Sequence, residues 1–174
     1  MVIWLIGMSG SGKTTLGREI ARQLRALAPN TVLLDGDELR ELFAHDRGEA
    51  PYSVEGRRLN AERLTALCAL LDQQGVHVVC CVLSIFPAMR EENRRRFSAY
   101  FEIFMDAPLA VLQARDVKGL YAAAGSGEVR NVVGVDIPFP RPTTADMVID
   151  SSGNPAELEQ LAARVLIQAG LQGC

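Results

Sequence analysis

Residues Gly7-Met8-Ser9-Gly10-Ser11-Gly12-Lys13-Thr14 fit the pattern GxxxxGK[ST], directly after the apolar run Val2–Ile6. The glycines of such a loop let successive backbone N–H groups point at phosphate oxygens. The lysine, Lys13, reaches the β/γ-phosphates, and the Thr14 hydroxyl is placed to bind Mg²⁺. A helix has to follow, because its N-terminus completes the anion site. Thr14–Leu27 supplies it, with Leu16, Ile20, Leu24 and Leu27 on one stripe. Strand, loop and helix in this order predict a site for a nucleoside triphosphate, with Thr15 closing the loop.

The remaining chain repeats the alternation. Val32–Leu34, Val76–Leu83, Tyr100–Met105 and Met147–Ile149 are apolar runs of strand length. Between them, Glu38–Phe43, Arg57–Gln74, Glu91–Ser98, Pro108–Arg115 and Pro155–Ala169 read as helices, the last with Asn154 as N-cap. In Arg57–Gln74, Leu59, Leu64, Leu67, Leu70 and Leu71 are expected inward. Alternation of this kind predicts an α/β fold, a three-layer α/β/α sandwich on a five-stranded parallel sheet. The 174 residues suit one domain, 1–174, and the 48% hydrophobic content supports a core without staples. Residues 118–142, rich in glycine and ending in Pro138, Pro140 and Pro142, read as a mobile lid.

Charge and cysteines exclude other classes. A net charge of −3, from 18 Lys+Arg and 21 Asp+Glu, argues against a nucleic-acid partner. No apolar run is long enough to span a bilayer, and Met1–Met8 reads as a buried first strand rather than a signal peptide. Cys68, Cys80, Cys81 and Cys174 lack zinc or CxxC spacing, so a reducing cytoplasm is expected. There is no NKxD-type guanine motif, and the length suits a small kinase better than a motor.

The acceptor side is expected at the carboxyl ends of the strands. Asp35-Gly36-Asp37 ends the second run. Asp37 can take the proton of an acceptor hydroxyl, orient Mg²⁺ through water, or merely cap the next helix. Arg40, Arg57 and Arg63 can clamp an anionic acceptor or form a solvated basic face; Arg22 and Arg58 read as the latter.

Several segments together resemble the adenylyl sulfate (APS) kinase family over nearly the whole chain. They are Gly7–Thr15, Leu34-Asp35-Gly36-Asp37 with Arg40, Arg57 with Asn60 and Arg63, Arg115-Asp116-Val117-Lys118-Gly119-Leu120-Tyr121, and Gly134-Val135-Asp136. The resemblance implies transfer of the γ-phosphoryl of MgATP to the 3′-hydroxyl of APS, with Asp37 and Lys13 catalytic. It implies that Arg40, Tyr52, Arg57, Asn60, Lys118, Gly119, Leu120, Ile85, Val132 and Val133 border the acceptor. Ser84 falls where the family has a serine once proposed as a phosphorylated intermediate; direct in-line transfer leaves it a pocket wall. Arg115 is expected either on ATP or in a structural pair near Asp116. A homodimer is implied as an option.

The pattern also departs from that family. Its usual Phe-Thr before Gly-x-Asp is Val132-Val133 here, and its proline in the lid is Val117. Stacking on a purine is thereby reduced to Tyr52. Asn131–Gly134 and Leu83–Phe86 resemble a branch of the family that phosphorylates cytidine diphosphoramidate, so a related nucleotide is the alternative acceptor. A nucleotide-binding module without catalysis is the reading from another class; it predicts loss of Lys13, Thr14, Asp37, Arg57 or Lys118, all of which are present.

Overall fold

The structure, a computed structural model, describes residues 1–43, 52–116, 119–153 and 157–171. Five strands, β1 (Val2–Ile6), β2 (Thr31–Asp35), β3 (His77–Val82), β4 (Tyr100–Asp106) and β5 (Met147–Asp150), form one sheet. Its order is β2-β3-β1-β4-β5, and every neighbouring pair is parallel. Every residue of β1 is buried, as a strand covered on both faces must be.

Alternation sorts the two cores. Ile3, Leu5 and Cys81 face α1 (Lys13–Leu27) and α7 (Leu158–Gln168). Val2, Trp4, Ile6 and Cys80 face α2 (Gly36–Phe43) and α3 (Val54–Gln73). The adjacent cysteines therefore serve opposite layers, both buried and unpaired.

Several boundaries and faces differ from the expected ones. The α3 helix starts three residues early, because the Ser53 hydroxyl accepts the Gly56 N–H at 3.0 Å and caps it. Its buried stripe is Asn60, Leu64, Cys68 and Asp72 with Thr65 and Ala69, so Leu59 and Leu70 are exposed rather than inward. Leu27, the last residue of α1, is likewise exposed. Helix α4 (Pro87–Arg96) begins at Pro87, whose missing N–H is harmless in a first turn. Two shorter helices, α5 (Leu109–Arg115) and α6 (Leu120–Gly125), follow β4. Thus the described part of the lid holds a helix, then a tight turn closed by the Val133–Ile137 bridge. Asn154, His45, Cys174, Val117 and Lys118 lie outside the described residues.

Candidate active site

The phosphate loop leaves β1 and enters α1 through Gly12, whose φ of 87° is a left-handed conformation suited to glycine. The Lys13 ammonium donates to the Met8 carbonyl at 2.8 Å, spanning the loop. The Ser11 hydroxyl is buried without a hydrogen-bond partner among the described residues. An orphaned polar atom in an anion loop is what a phosphate oxygen would satisfy.

The two acids after β2 separate in role. The Thr14 hydroxyl donates to Asp35 Oδ2 at 2.6 Å, and Asp35 Oδ1 accepts the Asp37 N–H at 2.9 Å. Asp35, expected on the acceptor side, therefore sits on the phosphate-loop threonine. Thr14 and Asp35 together offer the hard oxygen donors that Mg²⁺ prefers. Asp37 lies one step further out, in the first turn of α2, where Arg40 Nη1 donates to its Oδ1 at 2.9 Å. Arg40 Nε is buried and without a hydrogen-bond partner among the described residues.

The guanidinium of Arg40 lies 4.9 Å from the centre of the Tyr52 ring, and that of Arg57 lies 5.6 Å from it. Two cations thus flank one aromatic ring. Arg57 donates through Nε to the Tyr52 carbonyl at 2.9 Å and through Nη2 to the Asn131 carbonyl of the lid at 2.8 Å. Desolvation, then the neighbouring Arg40, lowers the Arg57 pKa, with Asp37 and Asp136 opposing. Asn60, buried in α3, reaches the Gly36 carbonyl at 3.4 Å and supports the turn that carries Asp37.

The other expected acceptor residues are placed differently. The Arg63 guanidinium lies 5.5 Å from the centre of the Phe43 ring. Ile85 and Val133 pack with Ile137, and Val132 packs with Tyr121, Leu112 and Ala107. These side chains build two small cores that join the lid to the body. Gly119, at φ 64°, precedes α6, and Leu120 opens it. Ser84, just past β3, is half-buried and holds a positive φ of 56°.

A cleft of about 890 Å³ opens on the other side of the loop, lined by Gly12, Thr15, Arg115, Asp150, Gly153 and Arg164 among others. Its size suits a nucleotide. Arg115 Nη2 donates to the carbonyls of Ser152 and Gly153 at 2.8 and 2.9 Å, so it shapes this wall rather than pairing near Asp116. The loop after β5 was missed in the sequence. Its signal was its place at a strand's carboxyl end.

The lid rests on the phosphate loop. The Tyr121 hydroxyl donates to the Ser9 carbonyl at 3.0 Å, and the Asp116 carboxylate caps α6 by accepting the Tyr121 and Ala122 N–H groups. A side chain at Gly134 would meet the Met8 sulfur at 2.9 Å, so glycine permits this approach.

Comparison with known proteins bears on this arrangement. The profile described as adenylylsulphate kinase matches residues 1–150. The chain belongs to that family. A cytidine diphosphoramidate kinase of Campylobacter jejuni is 40% identical over 151 residues, covering 87% of this chain and 86% of the relative. A probable adenylyl-sulfate kinase of Synechocystis is 39% identical, covering 84% and 81%. Among solved structures, the Mycobacterium tuberculosis APS kinase in complex with AMPPNP and APS superposes with a TM-score of 0.83 at 31% identity, covering 97% and 96%. This adenylylsulphate kinase relative is thus a P-loop kinase, an ATP-dependent phosphotransferase, in sequence and in fold. Among its described helices, none is long and apolar enough to cross a membrane.

Proposed function

We propose that this kinase transfers the γ-phosphoryl group of ATP to the 3′-hydroxyl of adenylyl sulfate. The observation that carries the reading is Asp37, a carboxylate paired with Arg40 one turn on and joined through its own N–H to the Asp35 of the Thr14–Asp35 pair. In the proposed reaction, Asp37 accepts the proton of the attacking 3′-hydroxyl. The new O–P bond forms as the bond from phosphorus to the β–γ bridging oxygen breaks, and ADP leaves. Lys13 and the loop amides carry the negative charge of the phosphates. Thr14 and Asp35 would hold Mg²⁺, which supplies further neutralisation of that charge. Arg40 and Arg57 bind the acceptor's anionic group, with Lys118 expected to join them from the lid. The lid residues around Tyr121 keep water from the phosphoryl group.

A second reading, with cytidine diphosphoramidate as acceptor, is favoured by one feature. Val132 and Val133, in place of an aromatic residue, are buried within the lid, which leaves less stacking surface for a purine. ADP release with MgATP and each nucleotide separately decides the matter. Saturating turnover of adenylyl sulfate with only trace turnover of the cytidine compound is expected. The reverse pattern selects the second reading, and turnover of neither defeats both. In the same assay Asp37→Asn should lower kcat by about 10²–10⁴-fold while ATP binding stays within about twofold. Near-full activity in Asp37→Asn would remove Asp37 from the role of base.

A further inference from the structure

The lid turn between Asn131 and Ile137 is built around one carboxylate. Asp136 accepts the N–H groups of both Asn131 and Val132. Inside the turn, the Val132 carbonyl accepts from Val135, Asp136 and Ile137, and Gly134 N–H donates back to the Ile137 carbonyl at 2.7 Å. Asn131 holds a φ of 64°, a left-handed conformation that asparagine enters more readily than most other non-glycine residues. The consequence lies outside the turn. The Asn131 carbonyl accepts from Arg57 Nη2, 2.8 Å away, while Arg57 Nε donates to the Tyr52 carbonyl at 2.9 Å. A guanidinium is a rigid fork of five donors, so fixing two of them fixes the direction of the other three.

We propose that Asp136 is a positioning residue for phosphoryl transfer, acting through the Asn131 carbonyl to orient Arg57 toward the acceptor. The inference rests on the reading above that Arg57 binds the acceptor's anionic group. It assigns a task to a lid acid that lies outside the phosphate loop and the Arg40–Tyr52–Arg57 cluster. The Asp136 carboxyl is suited to it. Lost hydration on its inner side raises its pKa, but the Asn131 and Val132 amides and the Arg57 charge outweigh this and hold it below the ordinary value. It therefore stays an acceptor for both amides at neutral pH.

Asp136→Asn keeps the shape and replaces one of the two accepting oxygens with a donor. The expected result is a rise of about tenfold in acceptor KM, with ATP KM within twofold and the melting temperature little changed. In an Arg57→Lys background the same substitution should move acceptor KM by less than twofold, since the two residues act in series. A second readout needs no acceptor: the Arg57 Nε–H resonance of ¹⁵N-labelled protein, sharp in the parent, should broaden or shift in Asp136→Asn. Equal rises in both KM values, full additivity with Arg57→Lys, or an unchanged Arg57 Nε–H resonance would each overturn the proposal. If the parent enzyme turns over neither nucleotide while the resonance still responds, the acceptor reading fails and the link from Asp136 to Arg57 stands.

Discussion

Ser84 holds a backbone conformation that puts an L side chain too close to the following carbonyl, at a cost of about 1–2 kcal/mol. It does so at the carboxyl end of β3, where the acceptor is proposed to lie. Glycine at this position removes the strain but adds freedom to the unfolded chain. Ser84→Gly should therefore stabilise the protein by a net of about 0.5–1 kcal/mol, read from urea melts. Ser84→Ala keeps the strain and loses only the hydroxyl. It should retain at least about half of the turnover, because in-line transfer needs no serine nucleophile. Loss of turnover to background in Ser84→Ala would restore a covalent role. The same scale shows where residue chemistry was legible. Lys13 and Thr14 were readable because the loop's own backbone dictates their places. Asp37 was singled out as the candidate base, but the place of Asp35 on the phosphate loop was not legible, since the two acids straddle the junction of β2 and α2. At such a junction the period of two no longer tells which way a side chain points. Only the folded chain brings Thr14 against Asp35 rather than Asp37.

Elements with one apolar stripe were legible, and elements whose buried face is polar or short were not. The β1 and β3 runs gave themselves away because both faces are covered. In α3, by contrast, the buried stripe mixes Leu64 with Asn60, Thr65 and Asp72, while Leu59 and Leu70 sit on the outer face. Leucine spacing therefore placed Leu64, Leu67 and Leu71 against the core correctly and turned Leu59 and Leu70 the wrong way. The lid helix α6 is six residues long, too short for any periodicity, and it is held by contacts distant in sequence. One of these is the Tyr121 hydroxyl on the Ser9 carbonyl, 112 positions apart. Tyr121→Phe removes that bond and leaves the ring in place among Leu112, Val132 and Ala107. A loss of about 0.5–1.5 kcal/mol in stability is expected from the missing hydrogen bond. ATP KM should rise several-fold, because Ser9 belongs to the phosphate loop. An unchanged ATP KM, measured at saturating acceptor, would show that α6 does not brace the loop.

The whole molecule divides along its sheet. The carboxyl ends of the strands carry the site. Nearer the opposite ends, charged groups are buried to hold layers together. Arg90 of α4, 8% exposed, pairs at 3.3 Å with Glu102 of β4, 1% exposed, which also accepts from the Tyr100 hydroxyl at 2.7 Å. Burial, and then the Glu102 carboxylate, pushes the Tyr100 phenol up, so it remains a donor throughout the range of stability. Beside this group, Arg94 of α4 binds both oxygens of Asp146 at 2.9 Å, and Asp146 accepts the Glu102 N–H. One helix is thereby fastened to the edge of the sheet by charge. Glu102→Ala strands the Arg90 guanidinium in the interior and should cost about 3–5 kcal/mol. Replacing the trio by apolar groups of similar volume, Arg90→Met with Tyr100→Phe and Glu102→Leu, should restore most of that loss, because no charge is then left without its partner. Glu102 lies four residues before Asp106, about 13 Å along the strand at 3.3 Å per residue, so the kinetic constants should move less than twofold in the triple variant. Urea melts and initial rates on the same preparations check both halves. A single substitution costing under about 1 kcal/mol would mean that α4 is held by its apolar contacts alone. A changed kcat in a fully folded triple variant would mean that the two ends of the sheet are coupled.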